Sequence, residues 1–208
     1  MKSRSVAAAL LALALALSAC TGSLLQSDAE APETFRLHGP ALTDSGGRLP
    51  LALAVARPRA AAALDTDRVA VVRTDSRFDY YSGVRWSEPA PQMLQQLLVK
   101  AFSADGRFAA VVAAPSRVPA DLLLDVELRR FEADYPAEGA VPEVRVEMLV
   151  TLIEARPARR VASFIAVGAA TAAENRRAAV VAAFEAAAAQ AVESAVSQVR
   201  GATPPAGP

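Results

Sequence analysis

Few side chains in this sequence can do covalent or acid–base chemistry: one cysteine, Cys20, and one histidine, His38, in 208 residues. Cys20 closes Leu17-Ser18-Ala19-Cys20, the Leu-small-small-Cys order read by lipoprotein signal peptidase. Before it, Lys2 and Arg4 form a basic n-region and Val6 to Leu17 an apolar h-region, the layout of a signal peptide. That run is shorter than the roughly 20 apolar residues a stable transmembrane helix needs. The pattern therefore predicts cleavage after residue 19 and thioether and amide acylation of Cys20. Two or more chains, at ~0.8 kcal/mol per buried methylene, hold a protein on a membrane stably. Thr21 stands where Asp retains enteric lipoproteins at the inner membrane, so the expected address is the periplasmic side of the outer membrane. An exported chain with one cysteine makes no internal disulfide.

The remaining inventory is thin. A Ser-His-Asp triad would have to be built on His38, which lies beside the N-terminal tether in a chain without a Gly-x-Ser-x-Gly element. No His, Cys and carboxylate spacing suggests a zinc site, and Gly46-Gly47 lacks the Lys and helix of a phosphate loop. Asp125 and Glu127 share one side of a strand, which would suit an acid/base pair. Their alternation with Arg129, opposite Arg145 and Glu147, suits cross-strand charge pairing better. The expectation is a protein that is not an enzyme, with no cofactor and no metal. Lys and Arg balance Asp and Glu at 22 each, and loss of Lys2 and Arg4 leaves a slight acidic excess, which argues against a nucleic-acid partner.

One segment concentrates unusual residues. Between Leu64 and Trp86 stand two of the three tyrosines and the only tryptophan. Tyr80, Tyr81, Arg85 and Trp86 are of the types that partner interfaces enrich. The same aromatics can instead cap the core above the first helix.

The elements that must position these residues follow from patterning. At 53% hydrophobic and 21% charged, the chain has the balance of one folded domain. Residues 1–19 read as signal peptide, 20–33 as lipidated cysteine and flexible tether, 34–200 as the folded body and 201–208 as a disordered tail. In the body, Thr34 to His38, Leu51 to Ala56, Arg68 to Arg73, Phe78 to Tyr81 and Phe108 to Val112 read as short strands. A helix over about 91–105 follows Pro89 and Pro91, with Leu94, Leu97, Leu98, Ala101 and Phe102 on one face and Gly106 as its cap. Leu124, Val126 and Leu128 alternate with Asp125, Glu127 and Arg129, and the slip of phase to Phe131 predicts a bulge. The strand Val144 to Ile153 also alternates, but Leu149 and Ile153 interrupt its polar face, which predicts cover on both sides of its second half. Arg159 to Val167 is a third strand across the Glu154-Ala155-Arg156-Pro157 turn. A helix over about 175–200 carries Val181, Phe184, Ala188, Val192, Ala195 and Val199 on one face. The predicted fold is α/β (mixed α+β): one domain, a mixed β-sheet with two main helices packed on it.

Three stretches carry a resemblance: Leu64-Asp65-x-x-Arg68-Val69-Ala70-Val71; Tyr80-Tyr81-x-x-x-Arg85-Trp86-x-x-Pro89-x-x-x-Met93-Leu94; and the later Gly106-Arg107-Phe108 with its acidic-apolar strand. From about Phe35 to Val199 the chain resembles the ABC-type transport auxiliary lipoprotein family and is similar to lipoproteins of paraquat-inducible-type intermembrane transport. The resemblance implies a non-enzymatic lipoprotein serving a lipid transporter made of an MlaE-type permease, its ATPase and a substrate-binding protein with mammalian-cell-entry (MCE) domains. It implies docking of the periplasm-spanning MCE protein and a possible homo-oligomeric ring, and it transfers one site residue, Cys20. The alternatives are a structural or assembly lipoprotein of the outer envelope, or a lipid-anchored periplasmic hydrolase built on His38.

Overall fold

The computed structural model describes residues 31–44 and 46–203. Cys20, the signal peptide, the tether up to residue 30 and the end of the tail lie outside the described residues. In chain order the elements are β1 (Glu33–Phe35), β2 (Leu49–Val55), β3 (Arg59–Ala60), β4 (Arg68–Val72), β5 (Phe78–Trp86), α1 (Ala90–Asp105), β6 (Phe108–Ala113), β7 (Leu122–Asp134), β8 (Glu143–Ala155), β9 (Ala158–Thr171) and α2 (Arg177–Ala202). Glu33, expected in the tether, already belongs to β1, and α2 starts two residues later than its sequence pattern suggests.

The sheet is organised by β7. One of its edges pairs antiparallel with β8 along the whole strand, and β8 pairs antiparallel with β9. The other edge is shared end to end by three shorter parallel strands: β2 opposite Leu122 to Leu124, β3 opposite Glu127 and Leu128, and β4 opposite Glu132 to Asp134. The sheet continues through β2 to β6, and through β4 to β5 and β1. The expected bulge lies between Leu128 and Arg130. By adding one residue it moves the apolar phase from even to odd positions, which keeps Phe131 and Ala133 on the buried face with Leu128.

Both helices pack on that face. On β7 and β8 it presents Leu124, Val126, Leu128, Val146, Met148, Val150 and Leu152, all at most 2% exposed. The predicted apolar stripe of α2 is buried throughout. At Gly168 of β9 the helix approaches so closely that an added Cβ would stand 2.8 Å from the Ala191 amide nitrogen and closer still to the Ala187 carbonyl. Ala187 and Ala191 on α2, opposite Gly168 on β9, permit that spacing. Trp86, Phe131 and Phe184 form the aromatic centre, with ring centroids 5.0 to 5.6 Å apart, a spacing at which aromatic pairs attract beyond simple area burial. α1 is tied to the sheet by buried Gln95, whose amide donates to the Val55 and Ala114 carbonyls, 3.0 Å each. It ends at Gly106, whose φ of 72° is the left-handed cap conformation.

Candidate partner-docking surface

The four aromatic and arginine positions do not share one surface. Trp86 is 1% exposed and belongs to the aromatic centre, so of the two readings of this residue the core one describes its place. Tyr80 is half-buried; its hydroxyl donates to the Ala63 carbonyl at 3.1 Å, and the Arg68 guanidinium lies 3.6 Å from its ring centroid. Arg85 is exposed, its guanidinium 3.7 Å from the Asp67 carboxylate. Tyr81, on the opposite side of β5 from Tyr80, meets Tyr135.

Tyr135 stands beside an open cleft of about 580 Å³ at the end of the sheet where β7 finishes. Its hydroxyl donates to Asn175 Oδ1 at 3.2 Å. Burial first, and the neighbouring Tyr81 second, push its phenol well above the ordinary tyrosine range. Four of the five charges of the cleft are engaged in pairs, Arg77 with Asp75 at 2.6 Å and Arg73 with Asp79 at 3.7 Å, and the fifth is Glu138. It is a polar cleft with little free charge to offer a ligand.

The second face of β7, β8 and β9 is different. Here no described element covers the sheet, and the register aligns its residues in rows: Leu123, Ile153 and Arg160; Asp125, Thr151 and Ser163; Glu127, Leu149 and Ile165; Arg130, Glu147 and Val167. Ile165 and Val167 are 47% and 50% exposed, and Leu149 and Ile153 are half-buried beside them. The expected second cover of β8 is thus missing from the described chain. The signal was present in Leu149 and Ile153, but a pattern that reports apolar residues on both sides of a strand does not say what covers them.

Towards β7 the apolar strip is bordered by ion pairs. Arg130 meets Glu132 at 2.7 Å and Asp134 at 2.6 Å. Burial lowers the Arg130 pKa, but the bond to Glu132 and the charge of Asp134 outweigh it and hold the guanidinium above its ordinary value. Arg129 meets Glu127 of its own strand at 3.3 Å and Glu147 of β8 at 4.0 Å, so of the charge pairing expected across the strands here only the longer contact crosses them. Asp125 is engaged by Arg59 of β3 at 2.9 Å.

On its outer side the strip ends at β9, an edge strand. Such edges invite strand addition, and α2 blunts this one. The Gln190 side-chain oxygen accepts from the Ala169 amide at 3.1 Å, and the Gln198 amide donates to the Ile165 carbonyl at 3.3 Å. The side chains of the face are open while part of the backbone edge is occupied, an arrangement that suits face-on contact rather than a tenth strand.

His38 lies apart from all of this, its side chain 75% exposed and Nδ1 3.1 Å from Glu185 Oε1. Among the described residues no group of His, Cys, Asp and Glu is arranged to hold a metal ion.

A model of the family of ABC-type transport auxiliary lipoprotein components matches residues 35–196. A crystallised protein from Xanthomonas campestris is 30% identical, covers 82% of this chain and 95% of its own, and superposes with a TM-score of 0.75. An uncharacterized crystallised protein is 18% identical over 82% of this chain and 99% of its own, at a TM-score of 0.61. A hypothetical protein from Chlamydia trachomatis is 8% identical over 74% and 97%, at 0.51. These last two share the fold. No curated protein matches the chain significantly.

Proposed function

The chain belongs to the family of ABC-type transport auxiliary lipoprotein components, and from that premise we propose that it is the docking component of an ABC/MCE-type intermembrane lipid-transport system. Lipid on Cys20 holds it at the periplasmic side of the outer membrane, where it receives the periplasm-spanning MCE protein of a system that includes an MlaE-type permease and its ATPase. The observation that carries this reading is the uncovered face of β7 to β9. Its apolar centre at Ile165, Val167 and Leu149 and its border of paired charges have the composition of a protein–protein contact. A membrane-inserting surface calls instead for a broad apolar face, and this strip is narrow and only half exposed. A second copy of the chain is a further partner of this kind, and a ring-forming homo-oligomer is part of the proposal.

The test is affinity recovery of the tagged, lipidated protein from intact envelopes. An MCE-domain protein should co-purify, and repeated recovery without any MCE or permease subunit overturns the reading. Light scattering of the solubilised protein tests the ring, and monomer alone at micromolar concentration overturns that part.

A further inference from the structure

The uncovered face is electrically uneven along its length. At the end where β7 finishes, Arg130 and Arg145 are both taken up, Arg145 by Glu143 at 2.8 Å. At the end where β7 begins and β8 turns into β9, the acids are the occupied groups. Asp121 accepts from the Ala52 amide at 2.8 Å, and Glu154 is held by Arg159 at 2.6 Å. Arg117, Arg156 and Arg160 are exposed and make no hydrogen bond or ion pair among the described residues.

Register and loops bring these arginines together with the apolar strip. Arg160 pairs with Ile153, which pairs with Leu123, so it stands on the uncovered face of the strand that carries Ile165 and Val167. Arg156 lines a cleft of about 210 Å³ with Leu51, Pro119 and Ala120. Arg117 precedes Val118, 48% exposed, in the loop that supplies Pro119.

We propose that this end of the face binds an extended acidic-apolar segment of a protein partner, with carboxylates on Arg156 and Arg160 and apolar side chains on Ile165 and Val167. Arginine suits that role because its planar guanidinium meets a carboxylate through two parallel hydrogen bonds. The small size of the strip favours a protein over a lipid surface: Ile165 and Val167 are only about half exposed, and Leu149 and Ile153 less so, short of the broad apolar face that membrane insertion needs. Naming the MCE protein as the partner rests on the docking reading above; the charge pattern does not.

The experiment measures binding of the full-length lipoprotein, in non-ionic detergent, to a fluorescein-labelled peptide of alternating Glu and Val. A peptide with Lys in place of Glu and detergent micelles containing phosphatidylglycerol serve as the other arms. The Glu peptide should bind, should weaken with salt, and should bind at least tenfold less well to the Arg117→Glu/Arg156→Glu/Arg160→Glu variant. Arg77→Glu/Arg176→Glu, at the opposite end, should leave it unchanged. Should the triple variant fail to fold, Arg156→Ala and Arg160→Ala, which remove no observed contact, should each weaken binding about threefold, by the magnitude of one exposed ion pair. Equal binding by the arginine variants, equal binding of the Lys peptide, or displacement of the Glu peptide by an equal concentration of phosphatidylglycerol in the micelles overturns the proposal. Arginine-dependent peptide binding without recovery of any MCE subunit from envelopes would instead overturn the docking reading alone.

Discussion

Replacing Ile165 and Val167 together by threonine separates docking from folding. The two side chains are 47% and 50% exposed, so about half of each remains for a partner to cover. Full burial of an aliphatic side chain contributes about 1.5–3 kcal/mol, so the exposed halves represent about 1 kcal/mol each and the pair about 2 kcal/mol, roughly 30-fold in affinity. Threonine keeps the β-branch that a pleated strand favours, and the strip is not part of the core that α2 covers. The fold should therefore lose only about 1 kcal/mol, a shift of about 2–4 °C in Tm for a domain of this size. The assay is titration of the solubilised lipoprotein with the MCE protein recovered from envelopes, alongside thermal melting by circular dichroism. Affinity within threefold of wild type, with the Tm shift inside that range, would show that the strip is not the contact and would refute the reasoning.

Gly168→Ala drives a methyl into the α2 backbone at Ala187 and Ala191, and should cost about 1–3 kcal/mol through displacement of the helix; an unchanged calorimetric Tm would contradict the close approach. Tyr135→Phe removes the hydrogen bond to Asn175 and should cost about 1 kcal/mol at neutral pH. Because the folded phenol titrates above the ordinary value of about 10, its stabilisation is complete below that pH and is lost as pH rises through the folded value. Urea midpoints between about pH 8 and pH 11 should fall less steeply in the Phe variant, and parallel slopes would count against the buried phenol. Cys20→Ala should leave the domain folded, since the described body is built without it, while crippling transport; full complementation by that soluble form would show the anchor to be dispensable.

Local regularities made much of this molecule legible before any coordinates. The alternation around Asp125 and Glu127 required one polar and one buried strand face, and the slip to Phe131 marked the bulge between Leu128 and Arg130. The spacing of Phe184, Ala188, Val192 and Ala195 marked the buried stripe of α2. The aromatic segment was legible only as a choice between core and interface. Trp86 entered the core because β5 carries it to Phe131 of β7 and Phe184 of α2, which lie 45 and 98 positions further along the chain.

Side-chain period is a property of a few consecutive residues, so sequence by itself determined which faces of β7, β8 and α2 are apolar, and composition that reactive side chains are few. Which of those faces would be covered depended on connections between distant segments. Only the tertiary structure decided that three short strands share one edge of β7, that both helices pack on a single side, and that Leu149, Ile153, Ile165 and Val167 meet on the side left uncovered. The same packing left the side chains of Arg156 and Arg160 without partners among the described residues at one end of that face. Burial and charge pairing are set by neighbours in space, and for this sheet most of those neighbours are far away in sequence.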